Sequence, residues 1–71
     1  MSIEIIAPMP GKIASIPVSV GSQVKEEEEV IIMDAMKMEI PVYAPAAGIV
    51  KEIKVKVGDS VNADQVLMIL E

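Results

Sequence analysis

The apolar positions of this chain fall into short stretches with a period of two. Ile53-Lys54-Val55-Lys56-Val57 alternates apolar and polar residues, and Val18-Ser19-Val20 does the same earlier on. That period suits a strand with one wet face. Val30 to Met33 and Val66 to Leu70 are instead unbroken apolar runs, flanked by polar residues and rich in branched side chains. Runs of that length predict strands buried on both faces. No stretch has a convincing helical period; Glu26 to Glu29 could form one turn of helix, too brief to stand alone. Strands are therefore predicted over Ile3–Ala7, Lys12–Pro17, Val30–Asp34, Met38–Val42, Ile49–Val55 and Gln65–Leu70. Shorter pieces are expected near Val18–Val20, Val24 and Val57–Val61. Pro8, Pro10, Pro17, Pro41 and Pro45 belong at strand ends, edges or turns, because proline gives a sheet no N–H.

The pattern occurs twice. Ala7-Pro8-Met9-Pro10-Gly11 recurs as Ala44-Pro45-Ala46-Ala47-Gly48, an offset of 37 positions. The same offset carries Ile13 to Val50, Ile16 to Ile53, Gly21 to Gly58, Val24 to Val61, and Val30–Met33 to Leu67–Leu70. Apolar positions and turn glycines repeat while exposed positions drift, as expected of two copies of one structural unit. Gly21-Ser22 and Gly58-Asp59 stand where each unit turns back, and the glycines serve backbone geometry there. Two units are too few for a solenoid. The expected architecture is all-β: a flattened barrel or sandwich of two small antiparallel sheets related by an internal quasi-two-fold. Closure would protect the strand edges.

Composition narrows the function. At 71 residues the chain is read as one domain, residues 1–71, with a total stability of about 4–10 kcal/mol. It has no cysteine and no histidine, so it lacks disulfides, thiolate ligands and the commonest general base. Tyr43 is the only aromatic residue, which leaves no stacking platform for single-stranded nucleic acid. A net charge of −5 argues against nucleic acid and anionic lipid as partners. No apolar run approaches membrane-spanning length and no leader pattern opens the chain, so direct membrane insertion is not expected and the cytoplasm is the default location. Met1 directly ahead of the first strand is expected equally of a free subunit and of a domain cut to these bounds.

The segment between the copies, Ala35 to Tyr43, holds the unusual residues. The pseudo-symmetry makes its centre a hairpin tip at one end of the molecule, with the chain termini near the other. Lys37 occupies that tip between Met36 and Met38. A lysine at a tip is ordinarily a solvated charge, and methionines are ordinarily core filler. Two features weigh against that reading. A two-residue hairpin favours Asn-Gly or similar because φ is positive there, so Met and Lys are poor choices, and locally disfavoured residues often mark function. Lys37 also stands at the junction of the copies, alone among the charges, with Asp34 and Glu39 three and two residues away. Glu26–Glu29 is read as a solvated acidic loop, with a docking patch for a partner subunit as the alternative.

Asp34-Ala35-Met36-Lys37-Met38-Glu39 resembles the biotinylation motif of biotin carboxyl carrier domains, whose core is Ala-Met-Lys-Met. The resemblance covers essentially the whole chain, through Ala7-Pro8-Met9-Pro10-Gly11, Ala44-Pro45 with Gly48, and Val57-Gly58-Asp59. It implies that a biotin ligase joins biotin to Lys37, with Ala35, Met36 and Met38 as the recognition motif. It also implies a non-catalytic carrier of biotin, shuttling a carboxyl group between biotin carboxylase and carboxyltransferase, as a monomeric domain within a larger complex. The chain has no histidine to deprotonate the lysine, so the ligase would supply that base. Two departures are visible. Asp34 stands where the family more often has Glu, which keeps the charge. Ile16 to Gly21 runs straight through where many bacterial acetyl-CoA carboxylase carriers have a protruding insertion. The chain is thus more similar to carriers of acyl-CoA, pyruvate or oxaloacetate carboxylases and of decarboxylases.

A lipoyl-carrier domain shares this frame but presents Asp-Lys-Ala at the tip, unlike the Met-flanked Lys37. An unmodified barrel-sandwich adaptor module would explain the fold but not Ala-Met-Lys-Met. A stand-alone enzyme is the weakest reading, since no acid–base pair, nucleophile triad, metal cluster or phosphate loop is visible.

Overall fold

Repetition in the sequence becomes symmetry in the strands. The computed structural model describes residues 2–71; Met1 lies outside the described residues. In chain order the strands are β1 (Ile3–Ile6), β2 (Gly11–Ser15), β3 (Gln23–Val24), β4 (Glu29–Ala35), β5 (Met38–Tyr43), β6 (Gly48–Ile53), β7 (Ser60–Val61) and β8 (Val66–Leu70). They form two antiparallel sheets of four strands, ordered β1-β8-β6-β3 and β5-β4-β2-β7. The repeat offset converts the first order into the second, strand for strand. It also converts the registers: Leu70 opposite Ile3 matches Met33 opposite Ile40, and Val24 opposite Gly48 matches Val61 opposite Gly11.

The unbroken apolar runs have a different cause from the one expected. Each contains a register shift, between Glu29 and Ile31 in the first half and opposite Ile5 and Ile6 in the second. The shift leaves Val30 and Leu67 as extra residues. A bulge re-aims a side chain, so Val30 with Ile31, and Leu67 with Met68, are all fully buried neighbours. Ile32 and Ile69 remain on the outer faces, half-buried. These strands are bulged, with one inner face, and are not covered on both sides.

Other boundaries shift for local reasons. Val18–Val20 is not a strand: Ser22 N–H donates to the Ser19 carbonyl at 2.9 Å, and Ser19 N–H donates to Ser22 Oγ at 3.1 Å. Gly21, at φ +94°, supplies the left-handed third position of that turn. The second half repeats the turn at Lys56 to Asp59, so the expected Val57–Val61 strand shrinks to Ser60–Val61. Val20 and Val57 ride these turns and are each 63% exposed. Pro17 explains why β2 stops at Ser15 while β6 reaches Ile53. Its counterpart Lys54 donates its N–H to the Leu67 carbonyl at 2.9 Å, which proline cannot do. Pro41 lies inside β5, an edge strand, as its missing N–H requires.

Glu26 to Glu29 forms no helix. Glu28 Oε1 accepts the Lys25 N–H at 3.0 Å and closes a turn in which Glu27 has φ +66°. Gln65 does the same for Asn62, with Asp64 at φ +65°. The core lies between the sheets and is wholly apolar among the described residues, led by Ile5, Ile13, Ile31, Met33, Leu67, Met68 and Leu70.

Candidate functional site

The site is the tip of the β4–β5 hairpin. The ladder runs from Glu29 opposite Tyr43 to Ala35 opposite Met38, leaving Met36 and Lys37 as the two turn residues. Their φ angles are +53° and +64°, the left-handed pair that a type I′ turn demands. Neither is a residue that adopts this conformation easily, at about 1–2 kcal/mol per residue for ordinary side chains. Every other positive φ belongs to a pair related by the repeat, Gly21 with Gly58 and Glu27 with Asp64. Met36 and Lys37 have no such counterparts.

The base of the hairpin is fixed from below. Ala35 is buried, and the start of β2 packs tightly against it. A Cβ added at Gly11 would lie 2.9 Å from the Asp34 carbonyl oxygen and 3.0 Å from Ala35 Cβ. Glycine is required there for close approach rather than for its dihedral freedom. Above this base, Met36 is 90% exposed, Met38 is 65% exposed and Lys37 is exposed. Lys37 makes no ion pair among the described residues; the two that form are Lys51–Glu71 and Lys54–Glu52. Glu71 exchanges backbone hydrogen bonds with Ile49, beside the pairing of Gly48 with Val24.

Lys37 is less isolated than its sequence spacing indicated. Asp34 stands directly across from Glu39, and Lys12 faces Asp34 from the other side. Asp34 and Glu39 join Lys37, Met38, Ser15 and Ile32 around a shallow depression beside the tip. Sequence reading missed Gly11, Lys12 and Ser15 as neighbours of the site. The signal available was antiparallel pairing of β2 with β4, which brings them alongside once drawn. The amine is accessible, unpaired and clear of the core, so the tip can accept an acyl group without disturbing packing.

Fold and site together define a class: small duplicated β domains that hold one lysine clear of the surface on a hairpin. A family model described as "Biotin-requiring enzyme" matches residues 3–70. The chain belongs to this biotin/lipoyl family. The gamma subunit of methylmalonyl-CoA decarboxylase from Veillonella parvula is 58% identical over 33 residues, 46% of this chain and 26% of that subunit. The mitochondrial alpha subunit of methylcrotonoyl-CoA carboxylase from Dictyostelium discoideum is 47% identical over 36 residues, 51% of this chain and 5% of that subunit. The chain thus spans a small part of the relatives it matches. Among solved structures, urea carboxylase from Kluyveromyces lactis superimposes with a TM-score of 0.94 and 30% identity, covering 100% of this chain and 6% of that one. A single-chain, multi-domain long-chain acyl-CoA carboxylase shares the fold, with a TM-score of 0.90 at 20% identity over 96% of this chain and 7% of that one. No helix among the described residues is long and apolar enough to cross a membrane.

Proposed function

We propose that the chain is a biotin carboxyl carrier, with Lys37 as the attachment residue and Ala35, Met36 and Met38 as the motif that a biotin ligase reads. The observation that carries this reading is the unpaired Lys37 amine on a left-handed Met36-Lys37 turn, in a chain of the biotin-requiring family. The Lys37 amine attacks the acyl carbon of biotinyl-adenylate; an amide forms, AMP leaves, and the proton passes to a base on the ligase. Once bound, biotin supplies a ureido nitrogen that takes up and releases a carboxyl group. The chain itself supplies reach and orientation. The β4–β5 ladder holds the tip rigid at its base, and the lysine side chain provides the flexible arm.

The partners are then a biotin carboxylase and a carboxyltransferase acting on an acyl-CoA or keto acid. Tethering makes each encounter effectively intramolecular. The carboxylase and decarboxylase relatives support this assignment. So does the uninterrupted Ile16–Gly21 segment, which has no protruding insertion.

Intact and peptide mass spectrometry after co-expression with biotin ligase tests the reading, with lipoate ligase in a parallel culture. One biotinyl addition on Lys37 is expected, absent from Lys37→Arg. Circular dichroism of Lys37→Ala should match the parent, since the side chain makes no core contact. No biotin under conditions that modify a control carrier would refute the assignment, and a lipoyl addition would replace it with the lipoyl-carrier reading.

A further inference from the structure

The chain has six methionines and no cysteine, so methionine sulfur is its readily oxidised group. The fold sorts these residues sharply. Met33 and Met68 are fully buried, at 0% exposure, while Met36 and Met38 are 90% and 65% exposed. Met9 is half-buried, and Met1 lies outside the described residues. The two exposed thioethers are the immediate neighbours of Lys37, and Met38 borders the same depression as its side chain.

We infer that Met36 and Met38 form a reversible oxidation site that gates attachment at Lys37, an inference that rests on the carrier reading. A peroxide delivers one oxygen atom to the thioether sulfur. The sulfur is oxidised by two electrons to a sulfoxide, the peroxide O–O bond breaks, and hydrogen peroxide is reduced to water. A thiol-dependent methionine sulfoxide reductase reverses the step: two thiols become a disulfide and the oxygen leaves as water. Oxidation turns a flexible apolar side chain into a polar, chiral one. The same change at Met33 or Met68 would break the core. At the tip it leaves packing intact and alters only the surface that a modifying enzyme must grip. The switch therefore acts on recognition without unfolding the domain.

The full chain would be treated briefly with hydrogen peroxide, quenched with catalase, mapped by peptide mass spectrometry, and offered to biotin ligase with ATP and biotin. Sulfoxide is expected at Met36 and Met38 well before Met33 and Met68, with an unchanged circular dichroism spectrum. Transfer to the oxidised chain should fall by about tenfold or more, a scale set by the discrimination that apolar pockets exert against an altered side chain. Sulfoxide reductase should restore it. In a Met36→Leu, Met38→Leu chain the ratio of transfer after and before peroxide should stay near one, whatever the absolute rate. Uniform oxidation of all methionines, or equal transfer to oxidised and untreated chains, would overturn the inference alone. Failure of the untreated chain to accept biotin would instead remove the carrier reading, and the gate with it.

Discussion

The hairpin β4–β5 and the strand pair β8–β1 are the same structure made twice, once with a connecting turn and once without. Both have the same register and the same bulge, and both place a fully buried side chain at the matching position, Met33 in one and Leu70 in the other. Their difference is the tip. β8 and β1 come from opposite ends of the sequence and pair without any two-residue turn between them. The ladder therefore does not need the Met36-Lys37 turn in order to form. Residues that the fold does not require, held in a conformation that ordinary side chains disfavour, are free to be chosen for chemistry.

The equivalence can be tested hardest in the core. Met33→Ala and Leu70→Ala each remove a fully buried side chain, and each should destabilise by about 2–5 kcal/mol. Against a total of about 4–10 kcal/mol for a domain of this size, either change should leave the chain marginal. Urea denaturation would report both. Similar losses would establish that the two ladders contribute alike. A much smaller loss at Leu70 would show that the pair without a turn frays at its ends, and would break the comparison.

A smaller effect separates the two glycines beneath these ladders. A Cβ at Gly11 would meet backbone oxygen at 2.9 Å and Ala35 Cβ at 3.0 Å, whereas at Gly48 the nearest atom is the Glu71 carbonyl oxygen at 3.2 Å. The first contact is closer than real Cβ atoms come, so the fixed base of the hairpin must shift; the second is wider, and a few tenths of an ångström of give accommodates it. Gly11→Ala should therefore cost about 1–3 kcal/mol, in the range of overpacking, and Gly48→Ala clearly less. Thermal denaturation of the two variants gives the order. Equal losses would show that both bases are equally rigid.

Much of this was legible in the sequence because the duplication repeats both turn chemistry and core positions. The offset from Ala7 to Ala44 was enough to pair the halves, place the tip between them and anticipate positive φ at Met36 and Lys37. What escaped was geometry that depends on contacts across strands. The bulges at Val30 and Leu67 look like continuous apolar strands, because a bulge turns two consecutive residues inward and erases the period of two. Val18–Val20 alternates like a strand, yet the Ser19–Ser22 hydrogen bonds and Gly21 claim it for a turn. The acidic wall beside Lys37 was hidden because Asp34 and Glu39, five positions apart in sequence, become direct cross-strand neighbours only once the hairpin closes.

The tip itself yields the smallest and most pointed stability prediction. Replacing Met36-Lys37 by Asn-Gly, the pair that favours a type I′ turn, should relieve the left-handed cost of two ordinary residues. Part of the gain is lost because glycine frees the unfolded chain, so a net stabilisation of about 1 kcal/mol is expected. For a chain of this size that is a rise in melting temperature of about 4–8 °C, readable by calorimetry, in a chain that has lost Lys37. Such a result would show that the left-handed Met36-Lys37 turn is held at a cost in stability. An unchanged or lower melting temperature would mean that Met36 or the Lys37 stem packs favourably enough to offset the strain. The turn would then belong to the fold after all, and the contrast with the unconnected β8–β1 pair would lose its meaning.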